Sequence, residues 1–173
     1  LLWEFKQDIK HYFSGLDNPL STLDLNGLIA FNKSQPEKEL ALFPQDIFEQ
    51  AAALTTEHKA KYQAALTRAQ NETRNSIRRL TKSHKLDAIV APTGAPAWSI
   101  DYVNGDDFLG GFSTYPAVSG YPHITLPMGL ISGLPVGLSI SAIQDQDQAL
   151  INLAAAIEKT LDFKVAPDLP AVD

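Results

Sequence analysis

At 173 residues, 45% hydrophobic and 20% charged, the chain has the size and composition of one soluble, core-forming domain. Twenty acidic against fourteen basic residues, a net charge of −6, argues against a nucleic-acid partner. The absence of cysteine excludes disulfides, thiolate catalysis and Cys-ligated zinc. No apolar run approaches the ~20 residues that a membrane-spanning helix needs, so no membrane partner is expected.

The first half, to about Lys85, reads as helical. Leu2, Phe5, Ile9, Tyr12 and Phe13 recur at three- and four-residue spacing, and Gly15, Asn18 and Pro19 end that helix. Leu23 to Lys33 predicts a second helix with Ser21 or Thr22 as N-cap, closed off by Pro36. Pro44 is placed in the first turn of a third, through Ile47, Phe48, Ala51 and Leu54. From Thr55 or Thr56 runs the longest helix, with Tyr62, Leu66, Ala69, Thr73, Ile77 and Leu80 on one face. Arg74, Arg78, Arg79, Lys82 and Lys85 cluster near its end, where cations favour the negative pole of the helix dipole.

After Lys85 the period changes. Asp87 to Pro92 is a short apolar run stopped by proline, a buried strand. Gly94 to Gly111, rich in Gly, Pro, Asp and Asn, predicts a long loop, a kind of segment that often carries function. Ser113 to Gly120 predicts a short helix. His123 to Pro127 and Val136 to Ile143 predict two strands joined by a turn at Ser132-Gly133-Leu134-Pro135. Asp145 or Asp147 caps a last helix with Leu150, Leu153, Ala154, Ile157 and Leu161 inward. The class is α/β: a helical first half, then a few buried strands of a mixed sheet with flanking helices.

Local motifs for chemistry are sparse. No serine is flanked by glycines in the Gly-x-Ser-x-Gly manner, and Ser119 directly precedes Gly120. A triad assembled from distant residues has no sequence support. His11, His58, His84 and His123 are widely separated, so no metal site is assigned. Asp101, Asp106 and Asp107 read as solvated loop carboxylates rather than a divalent-cation site, because such sites need several convergent oxygens. No phosphate-binding loop appears, and no cofactor is assigned.

An ordered series in the second half is more specific. Asp87-Ala-Ile-Val-Ala-Pro-Thr93 is followed by Pro116-Ala-Val-Ser-Gly-Tyr-Pro122, Ile124-Thr-Leu-Pro-Met-Gly129 and Gly133-Leu-Pro-Val-Gly-Leu-Ser139. This series resembles the C-terminal end of amidase-signature hydrolases. Ala97-Trp-Ser-Ile-Asp-Tyr-Val-Asn-Gly-Asp106 and Glu4-Phe-Lys-Gln-Asp8 are similar to a subgroup that includes bacterial peptide amidases. The resemblance implies hydrolysis of a linear amide C–N bond by a Ser-Ser-Lys mechanism, in which a lysine acts through a bridging serine on a nucleophilic serine. The sequence has no Ser-Ser pair, no Gly-Ser pair and no Gly-Ser-rich segment, so no catalytic residue is assigned.

The chain, which lacks an initiator Met and opens inside a helical pattern, is therefore expected to be one domain over 1–173. It would be the C-terminal fragment of a longer amidase, inert by itself, with 1–85 mainly helical and 86–173 supplying strands, pocket loop and final helix. Its partners would be the upstream catalytic part and a small-molecule amide, and its exposed sheet edge implies self-association. Within the loop from Gly94 to Tyr115, Trp98 and Tyr115 either line an acyl pocket or cover the core, and Asn104 is a candidate to hydrogen-bond an amide. Two alternatives stand beside this reading: a stand-alone binding module on the same scaffold, and a piece similar to the amidase-like component of a tRNA-dependent glutamine amidotransferase. The compartment stays open, with the cytoplasm favoured.

Overall fold

The computed structural model describes residues 1–164; the last residues of the 86–173 half, 165–173, lie outside that range. The chain divides into two units, Leu1–Thr67 and a second that starts at Arg68.

The first unit is helical. The aromatic stripe forms α1 (Leu2–Ser14), closed at Gly15. Its rings meet partners far along the chain: Trp3 stacks on Tyr62 at 6.1 Å and Phe5 tilts onto Phe48 at 5.2 Å. A 3-10 turn at Pro19–Thr22 takes up Ser21 and Thr22, so neither caps α2 (Leu25–Ser34). That role falls to Asp24, whose side chain accepts from the Gly27 amide at 3.0 Å. Pro36 does not merely end a helix. It opens the single turn α3 (Pro36–Glu39), at the position where a missing N–H costs nothing. α4 (Asp46–Ala52) starts beyond Pro44, after Gln45. The Lys6 ammonium donates to the carbonyls of Ala52 at 2.7 Å and Leu54 at 2.6 Å, satisfying acceptors that a helix end leaves open.

The boundary between units falls inside α5 (His58–His84). It begins a little after Thr55 and Thr56, and the Thr55 amide donates to His58 Nδ1 at 3.1 Å. In the second unit α5 buries Ile77 and Thr81, while Leu80, expected on the inner face, is exposed. Thr81 satisfies its buried hydroxyl by donating to the Ile77 carbonyl at 3.0 Å.

The second unit holds β1 (Ile89–Pro92), α6 (Thr114–Ser119), β2 (His123–Ile131), β3 (Leu134–Ser141) and α7 (Asp147–Leu161). The sheet order is β1-β3-β2. Both pairings are antiparallel, so among the described residues the sheet is not mixed. A two-residue turn forces that direction on β2 and β3: Ser132 and Gly133, with φ of 51° and 83°, supply the two positive angles such a hairpin needs. The turn is shorter than expected because Leu134 and Pro135 already belong to β3. Pro127, lacking an N–H, sits on edge strand β2 where the register shifts before Gly129. α6 ends at Gly120 in the left-handed region. Neither Asp145 nor Asp147 caps α7; Gln146 precedes it without a side-chain bond. The core is Leu126, Ile140 and Ala142 from the strand region against Leu150 and Ala154 of α7. Full burial of Ile140 is worth roughly 2 kcal/mol.

Candidate functional site

Strand alternation gives the sheet two unlike faces. Ile124 and Leu126 of β2 and Leu138 and Ile140 of β3 share the face under α7. The other face carries His123 and Thr125 of β2 and Gly137, Ser139 and Ser141 of β3, with Thr93 just past β1. Ser139 is fully buried there. Its hydroxyl donates to Thr93 Oγ1 at 2.9 Å, and Thr93 in turn donates toward Thr125 Oγ1 at 3.4 Å. Ser139 Oγ also lies 2.8 Å from His123 Nε2, a contact in which either partner donates according to the imidazole tautomer. The side chains thus form a run from His123 through Ser139 and Thr93 to Thr125.

The burial of that serine bears on its chemistry. A nucleophilic serine must give its proton to the histidine. Here Ser139 is fully buried and its hydroxyl is bonded to Thr93, so it is closed to an incoming substrate carbonyl. Gly137 makes room for this arrangement: a Cβ there would lie 2.8 Å from both Thr93 Oγ1 and the Thr125 methyl.

The loop from Gly94 to Gly111 is pinched at its base. Gly94 and Gly111 form an antiparallel bridge, the Phe112 amide donates to the Thr93 carbonyl at 3.1 Å, and the Thr93 amide donates to Gly137 at 2.7 Å. Near its tip, Asp101 closes an Asx turn. It accepts the Val103 amide at 2.8 Å, the Asn104 amide at 2.9 Å and the Asn104 side chain at 2.7 Å. These bonds, the Asn104 backbone bond first, hold the Asp101 carboxyl below the usual carboxylate range. Its oxygens thus serve the turn, and no cluster of acids and histidines among the described residues is arranged to hold a metal.

Of the three candidate pocket residues, the structure brings two together. Trp98 and Asn104 line a polar hollow of about 480 Å³ with Asp101 and Asp106. Trp98 packs edge-on against Phe108 at 6.1 Å, and its indole N–H points to Asp106 at 3.4 Å. Asn104 spends its amide on Asp101. Tyr115 stands apart, beside Phe112 at 6.2 Å. It borders an apolar hollow of about 490 Å³ with Pro92, Leu109, Phe112 and Ile131, and another of about 390 Å³ with Ile77, Ile89, Phe112 and Pro116. The basic cluster of α5 is partly spoken for: Arg74 donates to the Ser119 carbonyl at 2.8 Å, at the end of α6.

Sequence reasoning does not single out Phe112, His123, Ser139 or Thr93 as a set. One signal is available for part of it. In Gly137-Leu-Ser-Ile-Ser141 small polar residues alternate with apolar ones, which marks one polar face of a strand.

The amidase family profile matches residues 4–151. The chain belongs to the amidase family. It is 31% identical over 170 residues to a probable amidase of Arabidopsis thaliana, covering 96% of this chain and 30% of that protein. A component of the Clostridium botulinum glutamyl-tRNA(Gln) amidotransferase is 40% identical over 82 residues, covering 44% of this chain and 17% of that one. Among solved structures, the native peptide amidase from Stenotrophomonas maltophilia superposes with a TM-score of 0.86 at 35% identity, over 99% of this chain and 34% of that one. The peptide amidase bound to the competitive inhibitor chymostatin gives 0.89 at 38% identity, over 98% and 34%. The chain thus spans about a third of the length of these full-length matches. The amidase-signature resemblance and the α/β class stand on these matches. No helix among the described residues is long and apolar enough to cross a membrane.

Proposed function

We propose that this chain is the C-terminal part of an amidase that hydrolyses a linear amide C–N bond, and that it supplies sheet and pocket wall but not the catalytic groups. The observation that carries the reading is the likeness to peptide amidase along 98–99% of the chain, in an amino-acid sequence without a Ser-Ser pair or Gly-Ser segment. The Ser-Ser-Lys residues would come from an upstream part, the principal partner in this reading. An amide at the C-terminal end of a peptide is the substrate class favoured by the peptide-amidase likeness. The amidotransferase reading rests on a match to under half of the chain and ranks below it.

The pocket wall in this proposal is the loop from Gly94 to Tyr115. Its apolar side chains support the assignment: Ile100, Val103, Phe108 and Leu109 are all strongly exposed, which is costly unless another surface or a ligand covers them. The same exposure underlies the expectation that the isolated chain self-associates.

The test is hydrolysis of a peptide C-terminal amide by this chain alone, by the separately expressed upstream part, and by the two mixed. Turnover only in the mixture supports the proposal. Turnover by the chain alone would place a nucleophile within it and overturn the assignment. Hydrophobic-dye binding by the chain should fall when the upstream part is added.

A further inference from the structure

We propose that the His123–Ser139–Thr93 chain is a positioning device that sets the 94–111 loop at a defined angle on the sheet. The inference rests on the amidase reading only for the role of that loop as pocket wall. The two ends of the loop supply the first observation. Thr93 stands at one end and Phe112 at the other, and each touches a different member of this chain. Thr93 receives the buried Ser139 hydroxyl at 2.9 Å and gives its amide to Gly137 at 2.7 Å. Phe112 gives its amide to the Thr93 carbonyl at 3.1 Å and lays its ring edge-on to His123 at 6.0 Å. His123 Nε2 and Ser139 Oγ are hydrogen-bonded at 2.8 Å. The circuit is closed: each end of the loop touches the polar chain, and the chain links both to β2 and β3.

Two glycines make the circuit possible. A Cβ on Gly137 would collide with the Thr93 side chain, and one on Gly111 would lie 2.8 Å from the Thr93 carbonyl oxygen. The close approach at both sites involves Thr93, which marks that residue as the point where loop and sheet are joined. The cost of the joint is a buried hydroxyl. Ser139 is fully enclosed, and a buried polar group is tolerated because each of its bonding directions is used. A stretch this long could be tethered more cheaply by apolar packing. A hydrogen-bonded chain adds direction, because hydrogen bonds fix angles that apolar contacts leave loose.

The experiment uses the 173-residue chain with Trp3→Phe, leaving Trp98 in the loop as the only tryptophan. Two readouts are followed, hydrogen exchange at the Phe112 amide and acrylamide quenching of Trp98. Thr93→Val keeps the shape and removes the hydroxyl; Thr93→Ser keeps the hydroxyl and removes the methyl. Thr93→Val should speed Phe112 exchange about fivefold, the population change that follows loss of one ordinary hydrogen bond, and raise Trp98 quenching. Thr93→Ser should stay within about twofold of the parent in exchange, by the same reasoning. Amides in the centre of β3 should be unchanged in both. Unaltered exchange and quenching in Thr93→Val would overturn the proposal, as would Thr93→Ser behaving like Thr93→Val, since methyl packing would then hold the loop. If Thr93→Val does not fold, His123→Leu removes the hydrogen-bonding ring at the far end of the chain and leaves Thr93 intact. A loosened loop supports the device, and an unchanged one overturns it. Neither readout needs amide turnover, so failure of the amidase reading and failure of this one are separable.

Discussion

The two units solve the burial problem in opposite ways. In residues 1–67 the only buried apolar side chains are Leu25 and Ala51, and the large rings pair near the surface, Trp3 with Tyr62 and Phe5 with Phe48. In the second unit a contiguous cluster of Leu126, Ile140, Ala142, Leu150 and Ala154 closes beneath α7. The helical unit is held by many partial contacts and long-range polar ties, the sheet unit by one apolar centre. The sheet unit can therefore give its second face to a buried hydroxyl chain without losing its core. A helix pair has no such spare face.

Each unit carries one tryptophan, Trp3 and Trp98, so single-tryptophan variants report the units separately. The largest effect should come from Ile140→Ala. The side chain is fully buried on the central strand, and truncation should cost about 2–5 kcal/mol. Urea unfolding followed at Trp98 should shift strongly to lower denaturant. An equal shift at Trp3 would show that the two units unfold as one, and would dissolve the contrast drawn above. Gly137→Ala should come next, at about 1–3 kcal/mol, because its methyl group meets Thr93 and Thr125. It acts on the polar face and spares the apolar one. Its loss should therefore be partly recovered when Thr125→Ser removes the opposing methyl, as denaturant midpoints can show.

How far the amino-acid sequence foretells this molecule follows the same division. Elements with a strong local pattern are legible as elements, the stripe of α1, the apolar run of β1 and the helix α7, although β1, expected to be buried, alternates half-buried with exposed residues such as Val90, and Leu161, expected inward, is exposed. Ends of elements are less so. Ser21 and Thr22 look like caps, yet a 3-10 turn claims them and Asp24 takes the amide instead. Capping is decided by where the helix begins, and α2 begins two residues later than its apolar pattern. The loop from Gly94 to Gly111 is legible from its Gly, Pro and Asp content. What holds it is not, since the contact of Ser139 with Thr93 spans 46 residues and that with His123 spans 16. Such contacts depend on strand order and register, and neither is written in local spacing. The pocket residues show the same limit. Trp98 and Asn104 lie close along the chain and share one hollow, whereas Tyr115 faces others.

Lys6→Met tests the polar ties of the helical unit. The ammonium bonds two carbonyls at the end of α4, and hydrogen bonds made by a charged, half-buried group are worth about 1–2 kcal/mol in sum. The Trp3 transition should move to lower denaturant by that amount while the Trp98 transition stays in place. Movement at Trp98 alone would contradict the division at Thr67.

The smallest effect should lie in the pair of Glu4 and Tyr62, joined at 3.0 Å. The phenol hydroxyl donating to the carboxylate holds the Glu4 carboxyl below its ordinary value of 4.5 and, from the other side, raises the Tyr62 phenol above its ordinary 10.0. A carboxyl with a depressed folded pKa contributes stability that is present above the unfolded value and is lost as the pH falls through the folded one. A phenol with a raised pKa contributes stability that is present below its unfolded value and is lost as the pH rises through the folded one. The bond therefore helps between those limits and fades at both ends. Both groups are exposed enough for solvent to screen much of the gain, so the change should be smaller than that of Lys6→Met. Glu4→Gln should flatten the acid limb of the Trp3 transition below pH 4.5, and Tyr62→Phe should flatten both limbs. Glu4→Gln leaving the acid limb as steep as before would assign it to other carboxylates, and the Glu4–Tyr62 bond would then contribute nothing measurable to the helical unit.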